Sequence, residues 1–412
     1  MDRAIAVGLD LGLYDMQTSL NELSSLAEAV HIKVVDKVIQ KASLPNARFY
    51  IGTGKVEEIK TILSVLDIEL VIFDDVLSPG QIRNLEKELE VQIMDRSFLI
   101  LSIFSERAKT KEAVLEVSLA QQKYMLPRLI GLSSSLSRQG GGSFNAKGAG
   151  ETKLELDRRR ILQNITKLEK ELKKIQQEKD TSRKKRSDDE TPIVALVGYT
   201  NVGKSATLNT LIDYVSNPIK KDVFEKNMLF ATLETYSRRI KQAKKPSFIL
   251  SDTVGFVSRL PHELVKSFES TLSEVTHADL ILHVMDGSTS QKSIQEQTTL
   301  EVLKSLKADD IPKLKIYTKK DLMFGEFLSH DADCIISNKT KENIETLFEL
   351  IYQKLFGQET IIHLRVPYKD NGIIASLEEN TTILKKDYDD TYSYYTVRLY
   401  EKQINDFKAF LV

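Results

Sequence analysis

The chain is 412 residues long, room for two to four domains at roughly 150 residues each, and its 41% hydrophobic and 28% charged content suits globular domains. A net charge of −1 excludes a protein-wide field for nucleic acid, so any RNA affinity has to come from local basic patches. One cysteine, Cys334, excludes an intramolecular disulfide and fits a reducing cytoplasm; no apolar run approaches the roughly 20 residues that span a bilayer, which leaves peripheral membrane association at most.

The opening stretch, Met1-Asp2-Arg3-Ala4-Ile5-Ala6-Val7-Gly8, reads as a short apolar strand without signal-peptide organisation. Helical spacing follows from Leu20 to Val30, then a strand at Ile32–Val38 and a helix over Lys55–Leu66. A buried strand at Leu70-Val71-Ile72-Phe73 and a helix start at Ser78-Pro79-Gly80-Gln81 complete a small α/β domain over residues 1–105. Within it, Gly52-Thr53-Gly54-Lys55 reads as the turn leading into a helix; a lone Gly-x-Gly is weak evidence for a second nucleotide site.

From Glu112 to Ile130, Val114, Val117, Ala120, Tyr124 and Leu126 recur at helical spacing. A second helix over about residues 152–185 carries Leu154, Ile161, Ile165, Leu168, Leu172 and Ile175 in the three-four alternation of a coiled-coil seam. Between them, residues 132–150 are glycine-rich and free of acidic side chains. This predicts a long antiparallel helical hairpin over residues 106–188 with a flexible, mildly cationic tip; a loop of that length is usually functional or disordered. Arg183-Lys184-Lys185-Arg186 followed by Asp188-Asp189-Glu190 reads as a solvated linker, with a contact to backbone phosphates as the sharper alternative.

The most informative segment comes next. Thr191-Pro192-Ile193-Val194-Ala195-Leu196-Val197 is a buried parallel strand, and Gly198-Tyr199-Thr200-Asn201-Val202-Gly203-Lys204-Ser205 follows it. Ala206-Thr207-Leu208-Asn209-Thr210-Leu211-Ile212 then turns helical. Strand, Gly-x4-Gly-Lys-Ser and helix together form a phosphate-binding loop. Backbone N–H groups turn inward around a polyphosphate, Lys204 reaches the β- and γ-phosphates, the Ser205 hydroxyl coordinates Mg²⁺, and the helix directs its positive end at the anion.

Further motifs occur in order. Phe248-Ile249-Leu250-Ser251-Asp252-Thr253-Val254-Gly255 is a strand ending in Asp-x-x-Gly. Asp252 is expected to hold a water on Mg²⁺ and the Gly255 amide to bond the γ-phosphate. Leu280–Asp286 and Lys313–Tyr317 are the next strands, the second leading into Thr318-Lys319-Lys320-Asp321. Asp321 is the guanine reader, since a buried carboxylate there would be left unpaired by adenine. Lys319 lays its stem over the base, and Ser337, Asn338 and Lys339 form a turn at the base edge. Thr232 is the candidate switch residue that reaches Mg²⁺, with Thr235 as its rival. The pieces sit at the carboxyl ends of successive strands, where doubly wound sheets bind ligands. The expected core is therefore a P-loop GTPase with a Ras-like, mostly parallel sheet over residues 189–357, followed by a small α/β appendage over 358–412.

Two positions depart from the usual pattern. Thr318 stands where asparagine is usual, which is expected to loosen the tie between the base loop and the phosphate loop. Phe256 follows Gly255 where a Ras-type enzyme has its water-orienting glutamine, so intrinsic hydrolysis is expected to be slow. Another group must complete the site; Asn201 is the candidate ligand for K⁺.

These segments resemble a known family. Gly198-Tyr199-Thr200-Asn201, Leu229-Phe230-Ala231-Thr232-Leu233 and Asp252-Thr253-Val254-Gly255-Phe256 are similar to the HflX GTPases. So are Leu129 to Gly142 and, most specifically, Gly148-Ala149-Gly150-Glu151-Thr152-Lys153-Leu154-Glu155-Leu156-Asp157-Arg158-Arg159-Arg160. The resemblance spans residues 1 to 357 and departs at Ala206, Thr318 and Asn338, where the family more often has Thr, Asn and Ala.

The resemblance implies a ribosome-associated GTPase that binds the large subunit and splits stalled or idle ribosomes, notably under stress. Its N-terminal domain and hairpin would contact rRNA near the peptidyl-transferase region. Arg138, Gln139, Gly140, Gly141, Gly142 and Lys147 on the tip, with Arg158, Arg159 and Arg160 behind it, are the candidate RNA contacts. The factor is expected to be a monomer away from the ribosome. The rivals are an ATP-dependent RNA remodelling enzyme with a second site around Gly52–Lys55, and a GTP-dependent signalling switch with a protein effector.

Overall fold

The computed structural model describes residues 2–139, 149–187, 191–215, 236–259, 268–323 and 331–412. The chain divides into two compact units. The first holds the residues up to Ser182, together with Arg259 and 268–270; the second holds the phosphate loop and the remainder to Val412.

The first unit is built on a four-stranded parallel sheet of β1 (Asp2–Asp10), β2 (Ile32–Lys41), β3 (Leu70–Phe73) and β4 (Gln92–Asp95), in the order β2-β1-β3-β4. β1 and β3 are apolar on both faces because helices cover each side. Met16–Glu28, Thr53–Leu66 and Pro79–Leu89 supply those helices, and Arg96–Arg107 follows β4. Ser78 caps the third helix through a reciprocal capping box with Gln81, as Ser-Pro-x-Gln foretells. Gly52 caps the second, and its N–H donates to Gln40 at 2.9 Å. Lys55 is engaged by Glu58 at 2.7 Å, which fits a helix-leading turn.

Polar groups gather at the carboxyl ends of these strands, where the strand order reverses around β1. Buried Arg96 pairs with Asp74 at 2.7 Å and Glu22 at 2.8 Å. Arg259 reaches the same cluster: it pairs with Asp75 at 2.9 Å, bonds Asp74 and Ser19, and lies over the Tyr14 ring. Burial pushes the Tyr14 hydroxyl up to about 12, opposed by Arg259.

The two long helices, Lys111–Gln139 and Ala149–Ser187, run antiparallel: Glu112 pairs with Lys179 at 2.6 Å and Lys123 with Glu169 at 3.0 Å. Ile161, Ile165, Leu168, Leu172 and Ile175 form the half-buried stripe of the second helix. The first is fastened to the sheet domain through fully buried Asp95. That carboxylate accepts from Phe98 N (2.8 Å), Leu77 N (3.2 Å), Tyr124 Oη (2.8 Å) and Arg128 (3.0 Å).

The second unit has a six-stranded sheet in the order β10-β9-β8-β5-β7-β6. Its strands are β5 (Ile193–Val197), β6 (Tyr236–Ile240), β7 (Phe248–Asp252), β8 (Leu280–Asp286), β9 (Lys313–Thr318) and β10 (Cys334–Ile335). All pairings are parallel except β6 on β7. The helix Lys204–Val215 leads away from β5, and Ile344–Phe356 brings Phe348 and Tyr352 against Phe248.

The C-terminal segment forms an antiparallel sheet of β11 (Glu359–Pro367), β12 (Thr382–Tyr388) and β13 (Tyr392–Tyr400), in the order β11-β13-β12. Tyr400 stacks on Tyr352 with centroids 5.6 Å apart. Among the described residues no helix is long and apolar enough to cross a membrane.

Candidate nucleotide-binding site

The loop between β5 and the helix Lys204–Val215 is held from three sides. Gly198 lies against the Val284 carbonyl of β8, where any Cβ would collide. Gly203 has φ +95, a left-handed conformation that favours glycine. Lys204 is buried and donates to the carbonyls of Gly198 (3.1 Å) and Tyr199 (2.8 Å). Burial pushes its ammonium down to about 8, with the Asp252 carboxylate opposing.

Ser205 Oγ donates to Asp252 Oδ2 at 2.6 Å, so residues 47 positions apart converge at one point. Asp252 closes β7 and is fully buried. A serine hydroxyl beside a carboxylate, at the start of a helix, is an oxygen donor set that fits a hard cation such as Mg²⁺.

The residues that follow the Asp-x-x-Gly turn are paired with the phosphate loop. Phe256 N donates to Gly198 O (3.1 Å), Thr200 N to Phe256 O (2.7 Å), and Ser258 N to the Tyr199 hydroxyl (2.6 Å). Thr253 Oγ1 donates to Leu196 O at 2.6 Å, anchoring the start of the turn. A Cβ at Gly255 would lie 2.8 Å from Lys204 Nζ and 2.8 Å from Thr200 Cγ2. Phe256 is 1% exposed, so its ring belongs to the core.

On the base side, Thr318 overturns one expectation. Its hydroxyl lies 2.6 Å from Val202 O and 3.1 Å from Met285 O. The tie to the phosphate loop is therefore made, because β9 delivers residue 318 close enough for a short side chain to reach. Asp321 corrects another: it is exposed rather than buried, on the 3-10 turn Lys320–Leu322 beyond the end of β9, and accepts from Ser337 Oγ at 2.7 Å. Lys319 has φ +58 and pairs with Asp286 at 2.7 Å. Asn338 Nδ2 lies 3.0 Å from Thr207 Oγ1 and 3.5 Å from Gly203 O. Ala206 is half-buried, while Asn201 (φ +60) and Lys339 are exposed.

Thr232, Thr235, Gly140, Gly141, Gly142 and Lys147 lie outside the described residues, as do the side chains of Arg138 and Gln139. Arg158, Arg159 and Arg160 are exposed on the second hairpin helix; Arg158 lies 3.8 Å from Glu155 and Arg160 3.7 Å from Asp157.

Three participants escaped the sequence reading: Asp286, the Tyr199 hydroxyl and Thr207. Asp286 carried a signal, being the acidic end of an apolar strand next to the base loop.

A phosphate loop on β5, the Ser205–Asp252 pair and a base-side turn after β9 define a P-loop GTPase. In family comparison, residues 17–105 match the GTP-binding GTPase N-terminal region, 107–186 the GTP-binding GTPase middle region, and 193–319 the 50S ribosome-binding GTPase. The GTPase HflX of Caldanaerobacter subterraneus is 40% identical over 94% of this chain and 89% of its own, and that of Escherichia coli 34% identical over 90% and 87%. The chain belongs to the HflX GTPase family and hydrolyses GTP. Among solved structures, a GTP-binding protein from Sulfolobus solfataricus in complex with GDP is 25% identical, covering 86% of this chain and 98% of its own, with a TM-score of 0.44.

Proposed function

We propose that this GTPase binds the large ribosomal subunit in the cytoplasm and splits stalled or idle ribosomes, with hydrolysis timing its release. The observation that carries the reading is the architecture. A GTPase matched to a ribosome-binding family is joined in one chain to two long antiparallel helices, and those helices are fastened to a sheet domain through Asp95. Such a hairpin can enter a narrow RNA-lined channel that a folded domain cannot, and Arg158, Arg159 and Arg160 offer phosphate contacts behind its tip.

Lys204 holds the β- and γ-phosphates, and the Gly255 amide reads the γ-phosphate. Asp321, Lys319 and the turn at Ser337 face the base. Thr232 is the residue we assign to closing on the metal in the triphosphate state. Mg²⁺ on Ser205 and, through water, Asp252 would supply charge neutralisation at the phosphates. Because Phe256 offers no hydrogen bond to the attacking water, hydrolysis off the ribosome is slow and the ribosome stimulates it. Asn201 is our candidate for placing K⁺ there; equal rates in K⁺ and Na⁺ buffers would remove it from that role.

Co-sedimentation with purified subunits tests the reading. Binding is expected with a non-hydrolysable GTP analogue and release with GDP. Equal pelleting with either nucleotide would sink it.

A further inference from the structure

We infer that Thr318 and Asn338 are a coupled pair of positioning residues that brace two successive carbonyls of the phosphate loop, so that neither can be exchanged alone without loosening the hold on nucleotide. The inference concerns nucleotide binding and holds whether or not the ribosomal reading does.

Thr318 is fully buried at the end of β9, and its Oγ1 lies between Val202 O and Met285 O, at 2.6 and 3.1 Å. A hydroxyl has one proton to donate, so the two carbonyls compete for it. Next along the loop, Gly203 O accepts from Thr207 Oγ1 at 2.9 Å. Asn338 Nδ2 donates to that same Thr207 Oγ1 at 3.0 Å and lies 3.5 Å from Gly203 O itself. Asn338 thus backs the hydroxyl that secures Gly203, while Thr318 secures Val202.

The two side chains also share space. A Cβ built on Gly203 would meet Asn338 Nδ2 at 3.5 Å and Thr318 Oγ1 at 3.6 Å, which places both against the same glycine, held at φ +95. This loop conformation is left-handed and tightly walled, and its amides can hold a polyphosphate only while the loop keeps its shape.

An asparagine at 318 would bring two N–H donors, one for each competing carbonyl, but its longer amide would run toward the space that Asn338 occupies. Alanine at 338 would vacate that space and remove the brace on Thr207. With Asn338 gone, the longer amide at 318 fits beside Gly203 without a clash and takes over from there the bracing of the loop that Asn338 gave through Thr207, so the two exchanges together are expected to restore most of what each alone loses.

The test is the GDP dissociation rate, followed with a fluorescent nucleotide, across Thr318→Asn, Asn338→Ala and the double variant. Each single change is expected to speed GDP release about tenfold, the effect of one buried hydrogen bond. The double variant is expected to return to within about threefold of the parent, a coupling far outside additive behaviour. Thr318→Val keeps the shape of threonine and removes the donor; it is expected to lose about tenfold and to gain nothing from Asn338→Ala.

Melting temperatures measured without nucleotide separate a misfolded variant from a loosened loop: a lost hydrogen bond is expected to lower them by only a few degrees with the transition still cooperative, whereas a misfolded variant loses the transition. A double variant whose loss equals the product of the single losses overturns the pairing. A parent that fails to bind GDP defeats the nucleotide site itself, and that failure is seen before any variant is compared.

Discussion

Gly255→Ala places one methyl group at the point where two motifs meet. The glycine does not have a positive φ, so its backbone would tolerate alanine; the obstacle is space. The new Cβ would lie 2.8 Å from Lys204 Nζ, 2.8 Å from Thr200 Cγ2 and 2.9 Å from Thr200 Cα. The lysine tip can swing away. Thr200 Cα cannot, because its residue is fixed to the turn by the hydrogen bond from Thr200 N to Phe256 O at 2.7 Å. The Asp-x-x-Gly turn must therefore retreat by several tenths of an ångström, and the Gly255 amide retreats with it. One charge-assisted hydrogen bond to a γ-phosphate is worth about 1.5–3 kcal/mol, or roughly 10- to 150-fold in affinity. GDP lacks that phosphate and relies on Lys204, Ser205 and the base turn. Titration with fluorescent GDP and a non-hydrolysable GTP analogue should show the analogue weakened by roughly one to two orders of magnitude and GDP by less than about threefold. Equal weakening of both would mean that the methyl had displaced Lys204 instead, and the assignment of Gly255 as the γ-phosphate reader would be wrong.

Lys204, held down to about 8 by burial, must be charged to bind phosphate. GDP affinity should be level below that pH and fall by up to about tenfold per unit above it, with proton uptake on binding seen by calorimetry in two buffers. His283, inside β8, is pushed down to about 4 by burial; Glu296 opposes this while Lys315 and Lys313 add to it. Its folded pKa lies below the unfolded 6.5, so the contribution is complete above pH 6.5 and about 3 kcal/mol is lost as pH falls toward 4. Urea melts of the parent should show that slope, and melts of His283→Leu should be flatter. Arg128→Ala leaves the buried Asp95 carboxylate with one cation fewer and should cost on the order of 2–4 kcal/mol. Faster amide exchange at Phe98 and Leu77, whose N–H groups bond Asp95, would register it; unchanged protection there would show that Asp95 does not depend on Arg128.

The phosphate loop was legible because its chemistry is written in contiguous residues whose backbone makes the site. The strands around it were legible for a related reason: β5 and β8 are covered on both faces and read as unbroken apolar runs. β6, Tyr-Ser-Arg-Arg-Ile, was not foreseen. It is an edge strand whose exposed arginines read as loop, although charge is how an edge strand avoids unwanted pairing. β12 was hidden by the irregularity between Ile383 and Lys385, which breaks the alternation a strand shows in sequence.

The base side failed for a different reason. The expectation for Thr318 rested on the exchange away from the usual asparagine, but whether a tie forms depends on where the partner's carbonyl falls, and Val202 lies 116 residues away in the chain. Once the sheet brings that carbonyl to 2.6 Å, a hydroxyl is long enough. For Asp321 the error ran the other way: discrimination was argued from burial, yet the carboxylate sits at an open edge, steadied by Ser337. In that setting water can satisfy a carboxylate that adenine leaves unpaired. The preference for GTP over ATP should therefore fall short of the 10⁴-fold order that a dry site can reach, and Ser337→Ala should erode it further by freeing Asp321 to turn outward. Competition of ATP against fluorescent GDP measures both; a parent preference well above that order would mean that the turn closes over the base when nucleotide binds.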